Sequence, residues 1–152
     1  ISGQGGANDA WSVTSCHREG RGVELAVRRA LARAGRSPAD VDLVHLHGTG
    51  TKSSDFSEAT GLGVVYGGPT PPALGTKGLT GHTLGAAGLL ECIIALGCLE
   101  HGRVPTNAGL TEPNVDTRLR LVHEPERLDH ARCALKISGG FGGIQQAVVI
   151  EV

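Results

Sequence analysis

The chain has 152 residues, with 14 basic and 15 acidic side chains and a formal net charge of −1. That length suits one domain, 1–152, with a real core, and near neutrality gives no electrostatic footprint for nucleic acid. Glycine is the anomaly: 24 residues, above the usual share of about 7%, aperiodic and gathered at segment ends, where tight turns and close backbone contacts use it.

The chain opens at "ISGQGGANDAW" without an initiator methionine, which fits a processed, cut or trimmed product. From Gly22 to Ala34 the apolar positions Val23, Ala26, Val27, Ala30, Leu31 and Ala34 have helical spacing, with Gly35 placed to cap the carboxyl end. A Ser-Pro turn then precedes Val41 to Leu46, a short buried strand that delivers His47 at its end. Ser54 or Asp55 is expected to cap a second helix running to about Val65. "GGPTPP" is a loop and "ALGT" a short strand. Thr83 to Glu100 reads as a helix that is apolar almost all round, the pattern of an element buried between layers. An irregular crossing, "HGRVPTNAGLTEPN", leads to strands at Leu119–Val122, Cys133–Ser138 and Gln145–Val152. The alternation is that of an α/β fold.

The four cysteines, Cys16, Cys92, Cys98 and Cys133, show no C-x-x-C spacing, and no secretory leader precedes them. A reducing, cytoplasmic setting without structural disulfides is the expectation. The apolar run from Leu89 to Leu99 contains Glu91 and is shorter than a bilayer crossing, so no membrane is expected either.

Three segments could carry chemistry. In "HGTGTKSSDFSEA" a histidine at the carboxyl end of a buried strand precedes a flexible loop and a helix start, where open α/β sheets bind ligands. A neutral imidazole there can donate to a developing oxyanion; it can equally be a strand-end histidine bonded to a loop carbonyl. In "GTKGLTGHTLGAAG", His82 falls at the first turn of the apolar helix, whose dipole disfavours ring protonation. Lys77, one loop earlier, is close enough to pair with a carboxylate such as Glu58; a solvated lysine and a capping histidine remain the alternative. In "SGGFGGI", glycines on both sides of Phe141 would let its amide face a reacting carbonyl, although such a hairpin is often only a turn. No metal site is expected: His45 and His47 are assigned to opposite strand faces, and no H-E-x-x-H cluster is present.

Taken in order, "VDLVHLHGTGT", D-x-x-E, "GTKGLTGHTLGAAG" and "GGFGG", with "NDAW" and "VPTNAGLTEPN", resemble the carboxyl-terminal half of a β-ketoacyl-acyl-carrier-protein synthase. That condensing-enzyme family includes polyketide ketosynthases and chain-length factors. The resemblance implies a thiolase-like α/β fold, here a carboxyl-terminal half with a mixed five-stranded sheet and a buried helix, completed by an amino-terminal half or partner. It implies decarboxylative Claisen condensation of an acyl thioester with a malonyl thioester, in fatty acid or polyketide synthesis. His47 and His82 would hold the malonyl thioester oxygen, and Lys77 paired with Glu58 would orient His82. Phe141, between Gly140 and Gly142, would supply an oxyanion-hole amide and a gating ring. Thr49 and Thr51 would contact the pantetheine arm.

No cofactor is implied beyond the phosphopantetheine of acyl carrier protein. The implied partners are that carrier and an amino-terminal ketosynthase half or subunit, within a homo- or heterodimer. The family's nucleophilic cysteine lies in its amino-terminal half, and none of the four cysteines fits it. The alternative is a non-catalytic subunit, like a chain-length factor or a truncated partner, that shapes the acyl tunnel. Departures from the pattern are Lys52, Ser54, Gly139 and Ile144, which put the acyl tunnel and entrance, not the histidines, in question.

Overall fold

The computed structural model describes residues 1–111 and 119–152. Residues 112–118 of the irregular crossing lie outside the described residues. A six-stranded mixed sheet organises the chain, with strand order β1-β8-β7-β2-β3-β5. These are β1 (Gly3–Asn8), β2 (Leu43–His45), β3 (Pro72–Leu74), β5 (Arg120–Leu121), β7 (Cys133–Gly140) and β8 (Ile144–Glu151). Strands β7, β2, β3 and β5 run parallel, and β8 and β1 extend the sheet antiparallel. Two short strands, β4 (Arg103–Val104) and β6 (Glu126–Arg127), pair separately.

The expected sheet had five strands; β1 is the sixth. Its sequence, GQGGAN, has no β-branched or aromatic residue to signal a strand. The glycines are there for packing. A Cβ on Gly3 would stand 2.2 Å from the Ala30 carbonyl oxygen, and one on Gly5 2.1 Å from that of Ala26. The strand thus lies directly against helix α1 (Arg21–Ala34), as a glycine inside a strand often signifies.

Helices α1 and α2 (Lys52–Tyr66) cover one face, and α4 (Ala87–His101) covers the other. Side-chain alternation along β7 divides its residues between them: Leu135 and Ile137 join the α1/α2 core, whereas Ala134 joins the α4 core. By the same alternation Lys136 faces α4. Helix α2 starts earlier than expected, capped by Thr51 with no side-chain bond, so Ser54 and Asp55 sit inside its first turn. The segment before α4 is a 3-10 turn, Leu84–Ala86, preceded by a single helical turn, α3 (Lys77–Thr80).

Helix α4 is buried on one side only. Ala95, Cys98 and Leu99 pack against Leu43, Leu74 and Ile150, while Leu89 is 71% and Ile93 57% exposed. Leu79, Leu84 and Phe141 are also exposed. The stretch Leu84–His101 is long and apolar enough to cross a membrane, but its inner face is core and its Glu91 carries two buried ion pairs.

Such an apolar face in water drives association. The isolated chain should bind a hydrophobic dye or self-associate in sedimentation; a monomer silent to the dye would contradict an open face. Gly5→Ala should destabilise the fold by about 1–3 kcal/mol through overpacking against α1, read as a lower urea midpoint with unchanged slope.

Candidate functional site

Parallel strands β2 and β3 end at one edge of the sheet, and the chain there forms a cleft of about 500 Å³ bordered by Thr49, Glu58, Lys77, His82 and Asn107. Ligands of open α/β sheets bind at this end of the strands. Asn107 ties the edge together. Its side-chain oxygen accepts the Gly75 N–H at 2.5 Å, and its amide nitrogen donates to the carbonyls of Ala73 and Val122 at 2.9 and 3.0 Å.

His47 follows β2 by two residues and is buried. Its ring approaches that of His82, with centroids 5.7 Å apart and planes at 81°. The two imidazoles therefore meet, although 35 positions separate them in the chain. His82 is exposed and lies in the loop between α3 and the 3-10 turn, not in the first turn of α4 as expected. Gly81, just before it, has φ 70° and ψ 177°, a conformation essentially reserved for glycine.

The structure corrects the expected pairing of Lys77. Its ammonium contacts Glu91 Oε1 at 2.5 Å, donates to the His47 carbonyl oxygen, and lies 3.5 Å from His47 Nδ1. Glu58 instead accepts the backbone N–H groups of His47 and Gly48, at 2.6 and 3.0 Å. The reason is positional. Glu58 projects from α2 beneath the loop after β2 and satisfies that loop's buried amides, whereas Glu91 projects from α4 on the side where Lys77 points. Lys77 thus supports His47 and not His82.

The face assignment of the two strand histidines is also corrected. Residues two apart on a strand share a face, and Leu43 already lies on the α4 side. His45 follows it there, pairing in register with Lys136 of β7. His45 Nδ1 lies 3.1 Å from the Leu46 carbonyl oxygen and Nε2 lies 3.3 Å from Thr76 Oγ1. Among the described residues no group of three potential metal ligands forms.

Hydrogen bonds fix how the site histidines carry their protons. His82 Nδ1 accepts the Leu84 N–H at 3.2 Å, and His47 Nδ1 faces the Lys77 ammonium. A ring so placed, in its neutral form, keeps its proton on Nε2, the nitrogen left to donate. Burial, with the positive charges of Lys77 and Lys136 adding to it, depresses the His47 pKa to about 4. Burial and Lys136 do the same for His45, to about 4. Burial pushes Glu58 up. It pushes Glu91 up as well, but Lys136 and Lys77 outweigh it and leave that carboxyl below its ordinary range.

Thr49 Oγ1 and Thr51 Oγ1 bond to each other at 2.9 Å at the cleft mouth. Phe141 is 80% exposed, in the turn between Gly140 and Gly142. A Cβ on Gly139 would stand 3.1 Å from Cδ2 of His47, so the glycine loop backs onto that ring. All four cysteines are free, and burial raises every one of their thiol pKa values, those of Cys98 and Cys133 to about 11. Lys136 offsets part of that rise at Cys92, but none of the four is drawn toward the thiolate as a reactive thiol is.

A histidine protonated only with difficulty when folded makes stability rise with pH. Between about pH 4 and 6.5 the unfolded chain binds the proton that folded His45 refuses, so stability is full above 6.5 and declines toward 4. Glu58, with its raised pKa, acts in the opposite sense. The difference between wild type and His45→Gln isolates the histidine: the variant should show a shallower loss of urea midpoint over that window.

Residues 1–111 match the family model "Beta-ketoacyl synthase, C-terminal domain". The chain is 37% identical to 3-oxoacyl-[acyl-carrier-protein] synthase II, chloroplastic, of Arabidopsis thaliana over 93% of its own length and 26% of that protein. It superimposes on the ishigamide ketosynthase/chain length factor with a TM-score of 0.93 and 29% identity, covering 100% of this chain and 37% of that one. For the ketosynthase ApeO in complex with its chain length factor ApeC, from Xenorhabdus doucetiae, the TM-score is 0.89 at 35% identity, with coverage of 100% and 38%. The chain thus spans between about a quarter and two fifths of the proteins it matches. It belongs to the β-ketoacyl synthase family, of whose thiolase-like fold it forms the carboxyl-terminal domain.

Proposed function

We propose that this chain is the carboxyl-terminal half of a β-ketoacyl-acyl-carrier-protein synthase, an acyltransferase that elongates an acyl chain by decarboxylative Claisen condensation. The observation that carries the reading is the meeting of the His47 and His82 rings, centroids 5.7 Å apart, beside the cleft that His82 lines. Two imidazole donors this close suit a thioester oxygen that becomes an enolate oxygen.

In this scheme a cysteine thiolate of the amino-terminal half first takes the acyl group from its carrier thioester, releasing the carrier thiol. Malonyl thioester then enters. Its C–C bond to the carboxylate breaks, carbon dioxide leaves, and the electron pair becomes an enolate held by His47 and His82. The enolate carbon attacks the acyl thioester, whose carbonyl oxygen turns toward the Phe141 amide. The cysteine thiolate departs and the β-ketoacyl product stays on the carrier. Thr49 and Thr51 contact the pantetheine arm, and the Phe141 ring gates the acyl pocket. The carrier protein and the Cys-bearing half are the partners, and a cytoplasmic setting fits the free cysteines.

A second reading, a non-catalytic subunit shaping the acyl tunnel, has its own support. Solved relatives pair a ketosynthase with a chain length factor, and the glycine loop carries Gly139 and an exposed Ile144 beside the gate.

One experiment separates the readings. The chain is assembled with a Cys-bearing half and carbon dioxide release from malonyl-carrier protein is followed. Replacing His82 with alanine should lower kcat by about 10²–10³-fold, the scale of a lost oxyanion donor, with assembly intact. Equal release by both proteins would assign the chain to tunnel shaping, and no release by wild type would overturn the catalytic reading.

A further inference from the structure

Lys136 is a buried cation that the scheme above does not use. It lies mid-sheet on β7, 1% exposed, among Ala134, Leu43 and the inner face of α4. Its ammonium contacts Glu91 Oε2 at 2.8 Å and Ser138 Oγ at 3.1 Å, and donates to the Ile137 carbonyl oxygen. Glu91 therefore bridges two lysines, giving Oε1 to Lys77 and Oε2 to Lys136. With both ammonium groups charged, the triad holds two positive charges against one negative. Burial pulls the Lys136 pKa down while Glu91 holds it up; as long as both lysines keep their protons, a net positive charge lies in the dry layer behind His47.

We propose that Lys136 is a positioning residue of the catalytic site: by its ionic contact with the second oxygen of Glu91, it shares that carboxylate's charge and leaves Lys77 excess positive charge to present to His47. The proposal rests on the catalytic reading given above. Lys77 reaches three partners at once, the Glu91 carboxylate, the His47 carbonyl and the His47 ring edge. If Glu91 served Lys77 alone, the pair would be neutral as a unit and its field at the imidazole weak. With Lys136 sharing the carboxylate, the cluster repels a proton from His47 and attracts an enolate in front of it. The ring thus stays a neutral donor at the moment negative charge develops.

The titratable and charged groups around His47 come from several elements: Glu58 from α2, Lys77 from α3, His82 from the following loop, Glu91 from α4 and Lys136 from β7. Glu58 spends its carboxylate on the loop amides, so Glu91 is the anion that balances the lysines. Its share between them sets the field.

The test uses the chain assembled with its Cys-bearing half. The His47 ring is titrated by NMR in wild type, Lys136→Met and Lys136→Arg, and the pH profile of malonyl decarboxylation is recorded for each. Wild-type His47 should titrate far below 6.5, at about 4. Lys136→Met should raise that midpoint by about one unit and move the acid limb of the rate profile with it. At neutral pH kcat should fall about tenfold with KM little changed, the effect of one lost charge near the enolate. Lys136→Arg should return the titration toward wild type.

A wild-type midpoint near 6.5 would overturn the proposal without any variant, so a Lys136→Met protein that fails to fold leaves it falsifiable. Loss of thermal stability with an unmoved His47 midpoint would make Lys136 merely structural and would also overturn it. Absence of decarboxylation in wild type would count against the catalytic reading alone, because the His47 titrations still decide the role of Lys136.

Discussion

One carboxylate between two buried ammonium groups is the constraint around which this chain is arranged. Glu91, Lys77 and Lys136 come from a helix, a single turn and a strand, and the side chains of all three are at most 5% exposed. Removing charges from water costs several kcal/mol per ion, so each needs a partner in good geometry or it will neutralise. That requirement fixes where α4 sits along β7 and how closely α3 approaches the loop after β2. The ion cluster is thus a register device for the α4 face of the sheet. Among the described residues the opposite face, packed by Val27, Leu62 and Leu135, has no such device and relies on shape.

The same charges set the electrical state of the histidines. An imidazole beside excess positive charge and away from water stays neutral, which turns His45 and His47 from bases into hydrogen-bonding groups. Their fates then diverge through hydrogen bonding. His45 has both nitrogens engaged inside the fold, at Leu46 and Thr76, and is structural. His47 has Nδ1 beside the Lys77 ammonium, and its ring meets that of His82. Two histidines two residues apart, one ending β2 and one in the loop that follows it, thereby take different tasks.

Much of this was legible in the sequence. Periodicity located α1, a capping pattern α2 and an apolar run with small residues α4, and apolar runs bounded by turn residues located the central strands, because each of these elements buries a contiguous apolar surface. The histidine pair and Lys77 were legible through their setting at strand ends and glycine hinges. What was not legible depends on contacts between remote segments. Strand β1 is held by close approach to α1, and its glycines signal a turn to any local reading. Glu91 read only as an interruption of an apolar helix, and Lys136, inside the expected strand Cys133–Ser138, drew no reading, although each explains the other. Lone charges in apolar surroundings were the available signal, and pairing them across 45 positions needed the sheet. Glu58 was matched to Lys77 because a carboxylate and an ammonium attract in any sequence; the structure gives the carboxylate to backbone amides, whose desolvation is as costly to ignore.

The open side of α4 bears on chemistry as much as on stability. Leu89 and Ile93 face water, and so do His82 and Phe141, the residues nearest the proposed reaction on the exposed side. A donor facing bulk water gains little over water itself as a partner for a developing oxyanion, because solvent offers equivalent hydrogen bonds and screens the field. The same donor in an enclosed, low-dielectric site is worth far more. His47 already has that enclosure from this chain alone, and His82 does not. Whatever covers the apolar face of α4 would therefore complete the electrostatics of the second histidine along with the hydrophobic core. For that reason a surface buried on association and a pair of hydrogen-bond donors belong to a single physical problem here.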